Sequence, residues 1–154
     1  MSFTDPIADL LTRIRMRGAD DFDNVMEVSV HGGLDRVPLR CCLRDAEPGE
    51  RTGLVAVRPA AVHNPYSEVG PVFIHAEACD GYQGAGYPPA FRGRRQLFRS
   101  YDRRGRQVDN RIVDGAAPEP VLEQLFVRAD ISYVHSRNPL AGCYMFSITR
   151  RVGA

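Results

Sequence analysis

The chain has 154 residues and a formal net charge of +1 at neutral pH, so it fits one domain and is too short for two independent hydrophobic cores. The small net charge excludes a general attraction to polyanions. No apolar run approaches the about 20 residues that a membrane-spanning helix needs, and the first residues lack the apolar core of a cleavable signal. We therefore expect a single cytoplasmic domain over residues 1–154, with no membrane partner.

The first 18 residues predict an N-terminal helix. Apolar side chains recur with the spacing of one helical face at Ile7, Leu10, Leu11 and Ile14. Asp5 suits the N-cap and Gly18 suits the C-terminal end. The stretch DPIADLLTRIR (5–15) resembles the first helix of the eighth small-subunit ribosomal protein, which binds RNA. That likeness stops by Arg15, and we treat it as coincidental.

From residue 25 onward, short β segments make up a β-rich body over residues 25–150. Alternating apolar residues and short apolar runs predict strands at 25–30, 37–43, 53–57 and 71–76. In the segment 37–43, Cys41 shares the apolar face and Cys42 lies on the opposite face. The turn DAEPGERT (45–52) contains Pro and Gly and joins segments 37–43 and 53–57 as a predicted hairpin.

The second half of the chain predicts a hairpin, a short helix and two closing strands. The hairpin turns at DRRG (102–105), where Gly105 suits a positive φ. The stretch EPVLEQLFV (119–127) predicts a helix, and strands are expected at 131–135 and 143–149. The fold class is therefore α+β, a mainly antiparallel, curled β-sheet with an N-terminal helix and one further short helix.

Four stretches of the sequence resemble a known family. RCCLRDAEPGER, PYSEVGPVFIHAEAC, FRSYD and YVHSRNPLAGCYMF are similar to the bacterial family domain of unknown function 1203, over roughly residues 20–150. The resemblance implies a compact, stand-alone bacterial protein of the cytoplasm. It brings no activity or catalytic residue that transfers to this chain.

Polar residues beside two predicted strands suggest a binding pocket. An acid, two imidazoles, a guanidinium and an amide in one place suit a small anionic ligand or the movement of a proton. The expected ligand-binding residues are Tyr66, Glu68, His75, His135, Arg137 and Asn138. The structural alternative is that the histidines are core residues bonded to backbone carbonyls, and the sequence leaves catalysis open.

A metal site is a second hypothesis. His75 and Cys79 are four residues apart, but an extended chain separates their Cα atoms by about 13 Å. A bend after His75 is therefore required before both reach one ion. His135 and Cys143 lie eight residues apart, and the sequence has no CxxC or HExxH spacing. We expect no metal and no cofactor, with the cysteines packed as small apolar side chains.

Cys42 is a reactive-thiol candidate. On an extended strand it lies between Arg40 and Arg44, and neighbouring positive charge favours the thiolate. A nucleophilic thiol also needs a nearby base. The alternative is an ordinary thiol on a solvated strand face.

A stretch rich in arginine offers an alternative function. Residues 92–111 contain eight arginines and two aspartates. Arg103, Arg104 and Arg106, at the tip of the predicted hairpin, are phosphate-binding candidates. No RNP, KH or helix-turn-helix pattern supports nucleic-acid binding, so a solvated hairpin or an intersubunit salt-bridge surface is favoured. A further hypothesis is a non-catalytic subunit that self-associates through strand edges into a homo-oligomer.

Overall fold

A computed structural model describes residues 1–4, 6–114 and 117–151 of the chain. These residues form two α-helices, α1 (Ala8–Arg17) and α2 (Glu119–Val127). A 3-10 turn covers Pro89–Phe91. The strands are β1 (Ser2–Thr4), β2 (Glu27–Val30), β3 (Pro38–Leu39), β4 (Arg44–Asp45), β5 (Arg51–Val57), β6 (Gly70–His75), β7 (Gln96–Tyr101), β8 (Gln107–Val113), β9 (Tyr133–Arg137) and β10 (Tyr144–Thr149).

The strands form two five-stranded sheets. The first sheet has the order β1-β10-β9-β7-β8 and is antiparallel. The second has the order β2-β5-β6-β3-β4, and its β3–β6 pair is parallel while its other pairs are antiparallel. The α+β class with mainly antiparallel strands is confirmed. The single curled sheet is corrected to two sheets, because β2 to β6 pair with one another and not with the later strands.

Each sheet packs its own apolar cluster against one helix. Leu122, Leu125 and Phe126 of α2 join the cluster of the first sheet. Leu11 and Ile14 of α1 join the cluster of the second. Burial of each such side chain contributes about 1.5–3 kcal/mol relative to exposure, so the spacing of these residues determines which helical face turns inward.

The N-terminal helix is shorter than expected. It covers Ala8–Arg17 and ends at Gly18, whose φ of 70° suits glycine. The preceding Ser2–Thr4 pairs with β10 instead of continuing the helix. The predicted cap, Asp5, lies outside the described residues. Neither of the helices in the described segments has the length and hydropathy needed to cross a membrane.

The predicted strand 37–43 is wrong. Only Pro38–Leu39 is extended, and the chain then turns, with the Leu43 amide donating to the carbonyl of Leu39 at 3.0 Å. The predicted hairpin of 37–43 with 53–57 does not form either, because β5 lies between β2 and β6. The apolar alternation does not distinguish a strand from this turn, because Leu39, Cys41 and Leu43 are buried here as they would be on a strand.

Later elements agree with the sequence. Strands β7 and β8 form the predicted hairpin around residues 102–105, with Gly105 at a φ of 73°. Helix α2 covers the predicted residues 119–127. Strands β9 and β10 pair antiparallel around the loop that joins them. Strong periodicity and a turn glycine explain why these predictions hold.

Candidate metal centre

Four potential metal ligands converge beside the second sheet. The Sγ atoms of Cys41, Cys42 and Cys79 and one ring nitrogen of His75 all lie within 4.8 Å of one another. We call these four residues the thiol–imidazole cluster. Cys41 is buried, and the other three residues are partly exposed, so the cluster lies at the edge of the core.

The turn after β3 brings two adjacent thiols to the same imidazole. The Sγ atoms of Cys41 and Cys42 lie 3.6 Å and 3.8 Å from Nδ1 of His75. Such convergence needs a turn, since adjacent side chains on a strand point to opposite faces. Leu43 completes the turn with a φ of 58°, a conformation that is costly for a residue other than glycine.

Pairing between β3 and β6 aligns this turn with the histidine. Leu39 is in register with Phe73 in the parallel pair, and the amide of Arg40 donates to the Phe73 carbonyl at 2.9 Å. His75, the last residue of β6, then lies beside the turn. Its amide donates to Sγ of Cys41 at 3.3 Å, so the backbone also positions this sulfur.

A bend after β6 adds the fourth ligand. Residues 76–77 form the bend, and the amide of Ala76 donates to the Arg51 carbonyl at 3.1 Å. Arg15 of α1 donates from Nε to the His75 carbonyl at 3.0 Å. The bend required by the sequence argument is therefore present, and it brings Cys79 into the cluster.

The distances suit a tetrahedral ion. With Zn–S bonds of about 2.3 Å and Zn–N bonds of about 2.0–2.1 Å, tetrahedral geometry separates sulfur from nitrogen by about 3.6 Å and two sulfurs by about 3.8 Å. The two measured sulfur–nitrogen distances, 3.6 and 3.8 Å, agree with this. The widest pair, at no more than 4.8 Å, needs a contraction of about 1 Å.

The adjacent thiols share a proton. A hydrogen bond from Cys42 lowers the pKa of Cys41, aided by the backbone amide of His75. The same contact raises the pKa of Cys42, and burial adds to that rise. Burial also raises the pKa of Cys79. Of the three thiols in the cluster, Cys41 therefore gives up its proton most readily, and a bound cation would stabilise the resulting thiolate.

An ion pair next to the cluster orients the imidazole. Glu50 contacts Nε2 of His75 through Oε2, and Arg44 binds both oxygens of the same carboxylate at 2.8 and 3.1 Å. The Arg44 hydrogen bonds, followed by that of His75, lower the pKa of Glu50 to about 2. An ionised carboxylate only accepts hydrogen bonds, so a neutral His75 carries its proton on Nε2. Its Nδ1 lone pair then faces the sulfurs.

The structure divides the expected pocket residues among different places. His75 lies at the end of β6 with the cysteines, and His135 lies in β9 of the other sheet. Glu68 and Arg137 do meet, at 2.9 Å. Tyr66 is exposed, and Asn138 accepts hydrogen bonds from two amides of its own loop.

His135 has the surroundings of a core residue. It is 2% exposed, and its ring centroid lies 5.0–5.1 Å from those of Tyr101, Tyr133 and Tyr144. Burial, with smaller contributions from nearby arginines, lowers the pKa of His135 to about 3. The ring therefore stays neutral at physiological pH, and its Nδ1 has no hydrogen-bond partner in the described segments.

The structure also shows where the reactive-thiol candidate and the phosphate-binding candidates lie. Cys42 belongs to the cluster, whereas Arg40 turns away from it toward Cys143. Arg103, Arg104 and Arg106 are exposed at the β7–β8 turn. Much of the remaining positive charge is neutralised by ion pairs: Arg92–Glu119, Arg94–Asp45, Arg95–Asp114, Arg99–Glu68 and Arg111–Asp109.

Sequence reasoning missed two members of the site. The alternation at 37–43 places Cys41 on the apolar face of a predicted strand, and Glu50 lies in the predicted polar turn 45–52. The available signal in the sequence is the HxxxC spacing of His75 and Cys79, which provides two ligands. The adjacent Cys41 and Cys42 provide the other two. Nothing local in the sequence indicates that β3 pairs with β6.

Comparison with known proteins adds the family. A family model with the description "Protein of unknown function (DUF1203)" matches residues 36–150, a span that contains the whole thiol–imidazole cluster and both residues of its ion pair. No curated protein and no solved structure matches the chain. Since the matched span covers most of the sequence, the chain belongs to the DUF1203 family.

Proposed function

We propose that the chain binds one transition-metal ion, Zn²⁺ in its simplest form, through the thiol–imidazole cluster. The convergence of four donor atoms within 4.8 Å carries this proposal. It departs from the expectation of cysteines packed as apolar side chains, because three sulfurs around one imidazole nitrogen are more than packing requires. Glu50 supplies the carboxylate–histidine contact that is common around metal-bound imidazoles.

The donor set favours particular ions and a particular role. Thiolate and imidazole suit Zn²⁺ and other soft or borderline ions, whereas Mg²⁺ and Ca²⁺ prefer oxygen. Four protein ligands complete a tetrahedron and leave no position for water, as in structural zinc sites. The proposed ion therefore holds the turn after β3 to the end of β6, and it favours a structural or metal-sensing role over hydrolysis.

Titration with Co²⁺ tests the proposal, because this ion reports tetrahedral thiolate coordination through its visible and near-ultraviolet absorption. The reduced, metal-free protein is expected to bind one Co²⁺ with a tetrahedral spectrum that Zn²⁺ displaces. Cys79→Ser should weaken binding strongly and reduce the sulfur-to-cobalt absorption. Cys143→Ser is the matched control, since this cysteine lies outside the cluster, and it should behave as the wild type.

Two outcomes of this titration would overturn the metal proposal. One is the absence of a tetrahedral cobalt spectrum at stoichiometric metal in the wild-type protein. The other is a Cys79→Ser variant that binds as tightly, and with the same spectrum, as Cys143→Ser. Circular dichroism of each variant establishes that a loss of binding is not a loss of fold.

Binding of a small anion is a second candidate function, which we infer from a different place in the structure. The support does not come from the two histidines, which lie in different sheets. It comes from Arg137, a buried member of the expected pocket, which lines a cavity of about 350 Å³ together with Glu68 and the buried Arg40. Calorimetric titration with small anions tests this function, and saturable binding is the expected result.

A further inference from the structure

A cleft lined by residues of both sheets shares no lining residue with the thiol–imidazole cluster. Its volume is about 350 Å³, at the small end of the range for ligand pockets. One wall belongs to β5, β6 and the segment that joins them, and the other belongs to the β9–β10 loop. Much of the wall is apolar, with Val57, Val69, Pro71 and Phe73 among its residues.

Arg40 places an uncompensated charge at this cleft. The residue is 3% exposed, and its guanidinium donates to neutral acceptors: the carbonyls of Pro38 and Tyr144 and the sulfur of Cys143. In the described segments no carboxylate lies within ion-pair distance of it. Arginine stays protonated in proteins, and a buried charge without a counter-charge is costly.

Arg137 adds a second buried guanidinium. It is 5% exposed, donates to the Gly142 carbonyl at 3.0 Å and pairs with Glu68 at 2.9 Å. The same carboxylate is shared with Arg99, and Nε of Arg137 has no hydrogen-bond partner in the described part of the chain. The Glu68 carboxylate is thus shared by Arg99 and Arg137, and among the described residues no carboxylate pairs with Arg40.

We propose that this cleft binds a small monocarboxylate with an apolar body, which rests on the second candidate function, anion binding. The carboxylate faces Arg40 and Arg137, and the apolar body packs against Val57, Val69 and Phe73. A planar carboxylate matches the fork of a guanidinium. A phosphate dianion would bring more charge and more acceptor oxygens than the apolar walls can satisfy.

Calorimetry with three probes tests the ligand class. Benzoate is the carboxylate, benzamide is its neutral isostere, and inorganic phosphate is the competing anion. Benzoate is expected to bind with a stoichiometry of one, at least tenfold more tightly than either of the other probes. Added salt should weaken this binding only modestly, because both guanidinium groups are buried.

Glu68→Gln tests the location at a partly exposed position on the wall of the cleft. The Glu68 side chain is about half exposed, and its carboxylate occupies Arg137 and repels an incoming anion. The substitution should tighten benzoate binding several-fold. Glu123→Gln is the matched control, because it removes the same charge from an exposed position on α2, and it should leave the affinity unchanged. Arg40→Met should abolish benzoate binding. If that variant does not fold, the comparison of Glu68→Gln with Glu123→Gln still tests where benzoate binds.

The possible failures have different meanings. If neither benzoate nor phosphate binds, anion binding itself fails as a function. If phosphate binds and benzoate does not, anion binding stands and the carboxylate class is overturned. If benzamide binds as well as benzoate, the guanidinium groups are not the determinant. Equal affinities of the Glu68→Gln and Glu123→Gln variants for benzoate would place the ligand elsewhere.

Discussion

Nε2 of His75 contacts the carboxylate of Glu50, and this contact leaves Nδ1 of the same ring facing the sulfurs of Cys41 and Cys42. The proposed ion therefore depends on a residue that does not touch it. Arg44 fixes the Glu50 carboxylate through both of its oxygens. The ring nitrogen that meets the metal is thus selected by an ion pair on the turn between β4 and β5.

Glu50→Gln should weaken Zn²⁺ binding by about tenfold to a hundredfold, the usual loss when the partner of a metal-bound histidine is removed. The amide keeps the shape of the side chain but lacks the charge that binds both Arg44 and His75. Competition with a chromophoric chelator measures the affinity. Glu47→Gln is the control, since the hydrogen bonds between Glu47 and Glu50 use the Glu47 backbone: its amide donates to the Glu50 carboxylate and its carbonyl accepts from the Glu50 amide. Equal affinities of the two variants would refute the orienting role of Glu50.

Zn²⁺ should protect Cys42 and Cys79 from alkylation by iodoacetamide. Both are partly exposed free thiols, and coordination would occupy their sulfur lone pairs. Mass spectrometry of digested protein measures the rate at each site with and without the ion. Cys143 is an internal control, because it is also partly exposed but lies outside the cluster. Protection of all three to the same extent would indicate general stabilisation instead of coordination.

At position 43, replacing leucine with glycine should destabilise the protein no more than replacing it with alanine. It is buried at 2% exposure and has a φ of 58°. Both Leu43→Ala and Leu43→Gly lose buried side-chain volume, at about 2–5 kcal/mol for Leu→Ala, but only glycine relieves the backbone strain of about 1–2 kcal/mol. Urea unfolding should therefore find Leu43→Gly no less stable than Leu43→Ala. A clearly less stable glycine variant would mean that the turn carries no strain.

His135 should make stability depend on pH in acid. Burial lowers its pKa from 6.5 to about 3 in the folded chain, whereas the unfolded chain keeps the ordinary value. Between pH 6.5 and 3 the unfolded state binds the extra proton, so the free energy of unfolding falls as the pH is lowered through this range. Urea unfolding at several pH values should show a smaller decline for His135→Phe. Identical declines would mean that His135 is accessible to protonation when folded.

The sequence predicts correctly the elements that depend on residues close together along the chain. Helix α2 follows from Leu122, Leu125 and Phe126 at helical spacing, and the β7–β8 hairpin follows from Gly105 in its turn. The predicted strand at 37–43 is wrong because a turn and a strand can bury the same alternate residues. Its turn depends on a leucine at positive φ, which the residue type does not signal as glycine would.

The candidate site was harder to predict because it is made by contacts distant in sequence. Cys41 meets His75 only through the parallel pairing of two-residue β3 with β6, a pairing that no local pattern encodes. The pocket hypothesis requires the two histidines to converge, and the sequence leaves this open, because it shows only that each lies in a predicted strand followed by polar residues. In the structure His135 belongs to the other sheet and is surrounded by tyrosine rings.

X-ray absorption at the zinc edge of the Zn²⁺-loaded protein tests the metal proposal most directly. We expect the zinc to have three sulfur neighbours at about 2.3 Å and one nitrogen at about 2.0–2.1 Å. The Cys79→Ser variant should lose one sulfur neighbour, and Cys143→Ser should keep all three. A first shell of oxygen and nitrogen alone, or a shell that Cys79→Ser leaves unchanged, would contradict binding by Cys41, Cys42, His75 and Cys79.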